Sequence, residues 1–436
     1  MRFTRLCLVL LIAAGLCLSG CRHLETGDTL REEQPSEQIT IRFLNSWGGF
    51  DSNAEALKTI FQDFMEANPD IVIINDARFG DDFLPKLKTD FATGNAPDVF
   101  GIWPGSDMKA LVEAGKAADL TDILDADPAW KERFNPEAWS YTTFDDRIYG
   151  LPVEIIYEAL FVNQALFNSY GISIPRDYEQ LKEAVVKFRE HGVTPIAYNS
   201  NPEGTYIYQN ITARLGGREG VESVSDGVVT GVSDCYVRAM RIMKELYDLE
   251  AFPRNAYSLS DRERNDLFLR QESPMIVQGS WFTSDLYNAH LENAVKIIPF
   301  PAIDESGDGY PLVYGLGCGT FFMSSQAQKD EQKRDASLRL LKALTSPEAS
   351  LTLTSNSGFI SNIDLSHYRD ETNDLYDVGV GLINNADELV PPPDSIVDRI
   401  VWEQTIVPGF PDIFQKGEIG IQQVWKKAVL EMKQAR

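Results

Sequence analysis

Three tryptophans follow short apolar runs that have the composition of buried strands. Trp47, Trp103 and Trp281 each lie within four residues of the end of such a run. Ligands of open α/β sheets bind at the carboxyl ends of the strands, so indole rings in these positions can reach a ligand. A flat ring packs against an apolar ligand face while neighbouring polar groups bind its hydroxyls. We therefore predict ligand contacts for these tryptophans; the alternative for each is burial in a domain core.

A carboxyl group interrupts an otherwise apolar segment. Glu154 lies in the run LPVEII, residues 151–156, where a charged side chain must face either a partner or a solvent-filled cleft. We predict that Glu154 binds ligand, and the alternative is an ion pair between domains. Weaker candidates lie on predicted loops or, for the last of them, in a late helical pattern: Asp107, Tyr198, Asn199, Glu203 and Trp402.

Motifs of catalysis and metal binding are missing from the sequence. It contains no G-x-S-x-G, H-E-x-x-H, G-x-x-x-x-G-K-[ST] or C-x-x-C. The glycines of GLGCG, residues 315–319, lack phosphate-loop spacing, so we attribute them to close packing of the backbone. We predict no catalytic residue, metal or cofactor. The four histidines lack neighbours at metal-ligand spacing: His23, His191, His290 and His367.

Composition and charge narrow the class of protein. The chain has 436 residues, 43% of them hydrophobic, which is typical of a globular protein of two or three domains. Its formal net charge of −25 would repel a nucleic-acid backbone, so we predict no nucleic-acid partner.

The alternation of apolar patterns predicts the fold class. Strand-like runs, beginning with residues 39–44, alternate with helical patterns, which indicates an α/β fold. Cys235 and Cys318 are predicted to be unpaired thiols, and the alternative is a single disulfide between them.

The first 20 residues are typical of a lipoprotein signal peptide. A basic start precedes an apolar run, residues 6–18, that is too short to span a bilayer comfortably. The run ends in LSGC, residues 18–21, which resembles the bacterial lipobox. We predict that Cys21 is acylated and anchors the chain to the outer side of a bacterial cell membrane, with residues 21–37 as a flexible tether. The alternative is a cleaved secretory signal with a chance cysteine.

Five further segments carry a family resemblance when they are taken together and in order. They resemble signatures of the family 1 extracellular solute-binding proteins, the receptors of carbohydrate ABC importers. The resemblance extends over about residues 40–436. The segments are FATGNAPDV (91–99), YGLPVE with LFVN (149–154 and 160–163), PMIVQGSW (274–281), IIPFP (297–301) and FQKGEI (414–419).

The resemblance implies a two-lobed fold of the periplasmic-binding-protein type, with the ligand in a cleft between the lobes. It places Trp281 on the family's sugar-stacking tryptophan and Glu154 among its ligand carboxylates. We accordingly expect a non-enzymatic, monomeric receptor that closes on a saccharide and delivers it to membrane permease subunits. The predicted lobes are residues 38–152 plus 302–345 and residues 153–301 plus 346–436, with crossings near residues 151–154, 297–301 and 344–347.

Two other functions remain open at this point. One is the binding of a noncarbohydrate solute, such as a phosphodiester or a polyamine, which would require arginines or an anionic cleft, respectively. The other is a lipid-anchored glycoside hydrolase, which would require two carboxyl groups about 5 to 9.5 Å apart across the sugar.

Overall fold

The computed structural model describes residues 38–49, 51, 53–78, 82–224, 234–303, 309–357, 359–365 and 374–434. The predicted signal peptide, Cys21 and the tether lie outside these residues. Strands β1 to β14 are, in chain order, Ile39–Leu44, Ile71–Asn75, Val99–Gly101, Thr143–Phe144, Arg147–Ile148, Gly150–Pro152, Glu154–Asn163, Ile196–Ala197, Met275–Gly279, Val295–Ile298, Pro311–Leu316, Thr320–Met323, Ile360–Ser361 and Glu388–Val390.

Helices are more extensive than strands, and short 3-10 turns, among them Pro136–Tyr141 and Ser280–Phe282, connect several of them. Helices α1 to α19 are, in chain order, Ala54–Ala67, Phe83–Thr93, Ser106–Glu113, Thr121–Asp125, Pro128–Lys131, Gln164–Ser169, Tyr178–Glu190, Tyr206–Glu222, Asp234–Asp248, Asp261–Leu269, Thr283–Asn288, Ser325–Lys329, Glu331–Leu344, Pro347–Ser357, Asp374–Asn385, Pro393–Ile396, Arg399–Val401, Phe410–Lys416 and Glu418–Gln434.

Lobe one is built on a sheet with the strand order β2-β1-β3-β12-β6. Strands β1, β2 and β3 are parallel, so the chain leaves β1 and β3 at the same edge of the sheet. Asp98 ties this sheet to its helices: its carboxylate accepts the Arg42 backbone N–H at 2.9 Å and pairs with Lys333 of α13 at 2.8 Å. The loops that follow β1 and β3, which contain Trp47 and Trp103, therefore start side by side.

Lobe two is centred on β7, whose ten residues are all buried. Strands β9, β10, β11 and β13 all pair with β7 in antiparallel fashion. A strand covered on both faces reads as a nearly continuous apolar run, which explains the composition of Glu154–Asn163. One face packs on a core with Phe167, Phe188 and Trp402, and the other packs on a separate core with Phe268 and Phe282.

The chain crosses between the two sheets at positions that differ in part from the predicted ones. The first crossing connects β6 to β7 at residues 152–154. The second connects β11 to β12 at residues 316–320 instead of 297–301, because β10 and β11 both pair with β7. The third follows α14 instead of residues 344–347, because Leu353 packs in the lobe-one core. Residues 302–303, 309–316 and 346–357 thus change lobe relative to the predicted boundaries.

Two observations concern the chain as a whole. Cys235 and Cys318 are both buried and free, so the prediction of unpaired thiols is confirmed. Within the described residues, no helix has the length and apolar character needed to cross a membrane.

Candidate functional site

The polar and aromatic side chains of interest gather where the two lobes face each other around the crossings. We call this region the interlobe site and define it by Trp103, Asp107, Glu154, Glu158 and Trp281. Trp103 and Asp107 belong to lobe one, and Glu158 and Trp281 belong to lobe two. Glu154 lies at a crossing between the lobes. Only Trp103 and Trp281 among them are half-buried, and the others are buried.

Trp281 occupies the 3-10 turn that follows β9. Its indole ring lies against Gly279, where a Cβ would overlap the ring, so a glycine is required for this packing. Tyr206 meets the indole edge-to-face with ring centroids 5.6 Å apart. Gly279 pairs with Glu158 of β7, which is four residues from the crossing residue Glu154. At about 3.3 Å per residue of strand, Gly279, which precedes Trp281 by two residues, therefore pairs with β7 about 13 Å from the crossing.

A buried arginine holds the polar groups around this aromatic pair. Arg264 is 1% exposed and pairs with Glu203 at 2.8 Å, and its guanidinium carbon lies 5.9 Å from the Tyr206 ring centroid. Gln278 Nε2 donates to the Asn265 side-chain oxygen at 3.2 Å, which in turn accepts from Arg264. Glu203, predicted as a site residue, thus lies beside Tyr206 with its charge compensated inside lobe two.

Glu154 lies at the first crossing and binds the second crossing. Its Oε2 accepts the Gly319 backbone N–H at 2.7 Å. A Cβ at Gly317 would overlap the carboxyl group, and a Cβ at Gly319 would overlap Glu154 and Phe359. The glycines of this segment are therefore explained by close packing, as predicted, and Glu154 connects two crossings through a backbone hydrogen bond.

Burial raises the pKa of Glu154 to about 8, although the Gly319 hydrogen bond opposes the shift. The folded protein consequently holds this proton more tightly than the unfolded chain, whose glutamate has its ordinary pKa of 4.5. A raised carboxyl pKa gives stability that is fully present below the unfolded pKa and is lost as the pH rises through the folded pKa.

We expect Glu154→Gln to flatten the pH dependence of stability, because glutamine keeps the acceptor oxygen and cannot ionise. Between about pH 5 and pH 8, the wild type should lose up to about 1.4 kcal/mol of unfolding free energy per pH unit relative to the variant. Urea unfolding of both proteins at several pH values measures this difference. Parallel pH profiles would contradict the assignment.

Further carboxyl groups face the same region. Burial raises the pKa of Glu158 well above its ordinary value, and the nearby Asp394 raises it further, while Asn210 Nδ2 donates to its Oε2 at 3.0 Å. Burial also raises the pKa of Asp51 to about 6, and the charge of Asp285 contributes. Helix α11, which begins two residues after Trp281, contacts α14 of lobe one, so the Trp281 segment lies against lobe one.

The lobe-one contribution comes from the loop after β3. Trp103 contacts Phe83 edge-to-face at 5.8 Å, and the guanidinium carbon of Arg399 lies 5.6 Å from its ring centroid. Asp107 is buried and pairs with Lys88 at 2.8 Å. Since Arg399 belongs to α17 of lobe two, Trp103 and Asp107 lie at the boundary between the lobes.

Four of the predicted site residues lie in the interior of a lobe. Trp47 is 3% exposed and packs edge-to-face on Phe321 and Phe359. Tyr198 stacks on Phe252 at 4.3 Å, and Trp402 is fully buried beside Tyr208. Asn199 is fully buried, and its Nδ2 donates to Asp261 at 2.8 Å. These side chains are enclosed by neighbours of their own lobe and stabilise it.

Some residues of the site were missed by the sequence reasoning. Glu158 carried a usable signal, because it lies four residues after Glu154 in the same apolar strand and therefore points to the same face. No such sequence signal marked the other residues, because their neighbours become known only after the lobe folds. These residues are Tyr206, Arg264, Asp394 and Arg399. Among the described residues, no cluster of histidine, cysteine, aspartate or glutamate could hold a metal ion.

Comparison with known proteins decides the family. Residues 50–350 match the family described as bacterial extracellular solute-binding protein, and this match covers more than half of the chain. The chain belongs to this family. The predicted family resemblance is thereby confirmed.

Curated relatives of the solute-binding protein are distant in sequence. The maltotriose-binding protein of Pyrococcus abyssi (strain GE5 / Orsay) is 21% identical over 309 residues, 70% of this chain and 63% of the relative. The maltodextrin-binding protein MdxE of Bacillus subtilis (strain 168) is 23% identical over 268 residues, 60% of each chain. The chain thus spans less than two thirds of the length of these relatives.

Solved structures share the fold over nearly the whole length. A chitin oligosaccharide binding protein is 19% identical with a TM-score of 0.81, over 92% of this chain and 99% of that one. The maltose/maltodextrin-binding domain MalE from Bdellovibrio bacteriovorus bound to maltotriose is 17% identical with a TM-score of 0.72, over 91% and 99%. These similarities confirm the predicted two-lobed α/β fold.

Proposed function

We propose that this solute-binding protein binds a saccharide in the interlobe site by closure of the lobes and delivers it to the permease subunits of an ABC importer. The observation that carries the proposal is the half-buried Trp281, which pairs with Tyr206, and Tyr206 in turn has Glu203 and Glu158 nearby. An aromatic pair with carboxyl groups in its neighbourhood matches the apolar face and the hydroxyl rim of a sugar ring.

Several features support the saccharide as the ligand class. Curated relatives are named for maltotriose and maltodextrin, and solved structures with the same fold are named for chitin oligosaccharide and for bound maltotriose.

The connections between the lobes support closure. They lie at residues 152–154, at residues 316–320 and after α14, and such an arrangement permits rotation of one lobe against the other. The proposed receptor is a monomer.

A thermal-shift screen over saccharides tests this proposal. A cognate sugar at about 100 times its dissociation constant should stabilise the protein by about 2.7 kcal/mol, which raises the melting temperature measurably. The screen includes maltotriose, chitin oligosaccharides, a polyamine and a phosphodiester as competing classes. Stabilisation by a noncarbohydrate class alone would contradict saccharide binding, and release of reducing sugar by the purified protein would contradict a pure binding role.

Small-angle scattering of the same mixtures tests closure. A rigid rotation of the lobes around the ligand should reduce the radius of gyration while each lobe keeps its fold. An unchanged radius with a saturating sugar that stabilises the protein would leave binding intact and contradict closure.

Lipid anchoring at Cys21 is part of the proposal, because an importer receptor must remain near its permease. Two or three acyl chains, at about 0.8 kcal/mol per buried CH₂, hold a protein stably on a bilayer. We expect Cys21→Ala to shift the protein from the membrane fraction to the soluble extracytoplasmic fraction or to leave it unprocessed. Fractionation with an antibody measures this; a processed variant that stays on the membrane would contradict the anchor.

A further inference from the structure

Two segments of different lobes meet beside the interlobe site. The lobe-one segment is residues 103–107, which comprise the loop after β3 and the start of α3, and the lobe-two segment is residues 394–399. Gly105 has a φ of +136°, and a Cβ built on it would lie 3.4 Å from Ser395 Cβ. This backbone conformation favours glycine, which lets the loop approach the opposite lobe closely.

Arg399 makes the principal contact between these segments. Its guanidinium carbon lies 5.6 Å from the centroid of the Trp103 ring, within the range of a cation–π interaction. Its side chain is only 19% exposed, so solvent screens the contact less than at an open surface. The other cation–π contacts described between residues of this chain each join groups of a single lobe.

Charges from both lobes surround this guanidinium. Within lobe two it pairs with Glu403 at 2.7 Å and Asp394 at 3.7 Å. Burial lowers the pKa of Arg399, but Asp394, Glu403 and the lobe-one Asp107 together raise it above its ordinary value. Asp107 is itself buried and held by Lys88. The positive charge of Arg399 is thus attracted to lobe one by both a ring face and a carboxylate.

We propose that Arg399 is a positioning residue that holds the two lobes together across the interlobe site by stacking on Trp103 in the field of Asp107. The two ion pairs in lobe two keep the guanidinium extended toward the ring. This inference goes beyond saccharide binding, because the contact joins protein groups alone and its test needs no ligand.

Small-angle scattering of the ligand-free mature protein tests the proposal. Arg399→Met removes the charge and keeps the aliphatic stem, and Trp103→Leu removes the ring while the lobe-two ion pairs of Arg399 remain. Each should raise the ratio of open to closed molecules about two- to thirtyfold and increase the radius of gyration. Arg399→Lys should restore part of the effect, because it keeps the charge without the planar group.

The double variant Arg399→Met with Trp103→Leu distinguishes a direct contact from two unrelated effects. If the residues act on each other, the second substitution adds little to the first. The matched control is Arg241→Met, which removes an arginine of the exposed pair with Glu418, 2.9 Å apart, inside lobe two. Its radius should equal that of the wild type.

Three outcomes would overturn the proposal. They are an unchanged radius in both single variants, fully additive changes in the double variant, and an equal increase in Arg241→Met. A lower urea midpoint with an unchanged radius would show that Arg399 stabilises lobe two only, which also contradicts an interlobe role.

Discussion

Trp281→Ala is expected to weaken saccharide binding about tenfold to a hundredfold. The indole of Trp281 is half-buried beside Tyr206 at the interlobe site, so its exposed part can cover a sugar face. At about 25 cal/mol per Å² of apolar surface, one platform contributes on the order of 1 to 3 kcal/mol to binding. Calorimetric titration with the best sugar from the thermal-shift screen measures the loss.

Trp281→Phe is the matched control, because it keeps an aromatic face over Gly279 and should lose no more than about threefold in affinity. Stability should fall by only about 1 kcal/mol in the alanine variant, since part of the ring is open to solvent before binding. Unchanged affinity in a folded Trp281→Ala protein would remove Trp281 from the site.

Trp402→Ala should have the opposite pattern, a loss of about 3 to 5 kcal/mol of unfolding free energy with little change in sugar affinity. Trp402 is fully buried in the lobe-two core, and its ring packs on Tyr208 with ring centroids 5.8 Å apart. Removing the indole leaves a cavity that the surrounding helices fill only in part. Urea unfolding measures the loss.

The variant Trp402→Phe tests whether the loss of stability comes from side-chain volume alone. The indole Nε1 of Trp402 has no hydrogen-bond partner among the described residues, so replacing it removes no hydrogen bond. The phenylalanine variant should therefore lose only about 1 kcal/mol, for volume alone. A large drop in sugar affinity with normal stability in Trp402→Ala would return Trp402 to the list of ligand contacts.

The sequence was sufficient for the fold class. Apolar periodicity places β1 at Ile39–Leu44, as observed, because apolar residues that alternate with polar ones mark a strand with one buried face. The first crossing was predicted near residues 151–154 from the family resemblance alone. The second crossing was misplaced because the run at residues 297–301 looks the same whether the next strand pairs in lobe one or in lobe two.

The tryptophans also show that local sequence position does not decide whether a side chain is enclosed in a core or faces the interlobe site. Position after a strand is the same for Trp47, Trp103 and Trp281, yet Trp47 is enclosed by Phe321 and Phe359 while Trp281 is half-buried. The enclosing rings of Trp47 lie more than 270 residues away in the chain, and such distant neighbours leave no local pattern.

The sequence by itself predicted the α/β class, the family resemblance and four residues of the interlobe site, namely Trp103, Asp107, Glu154 and Trp281. Only the tertiary structure decided which other side chains join them. Arg264 reaches Glu203 across 61 positions, and Arg399 reaches Trp103 from the opposite lobe. Such contacts depend on how separately folded layers pack, and local composition and periodicity do not encode that packing.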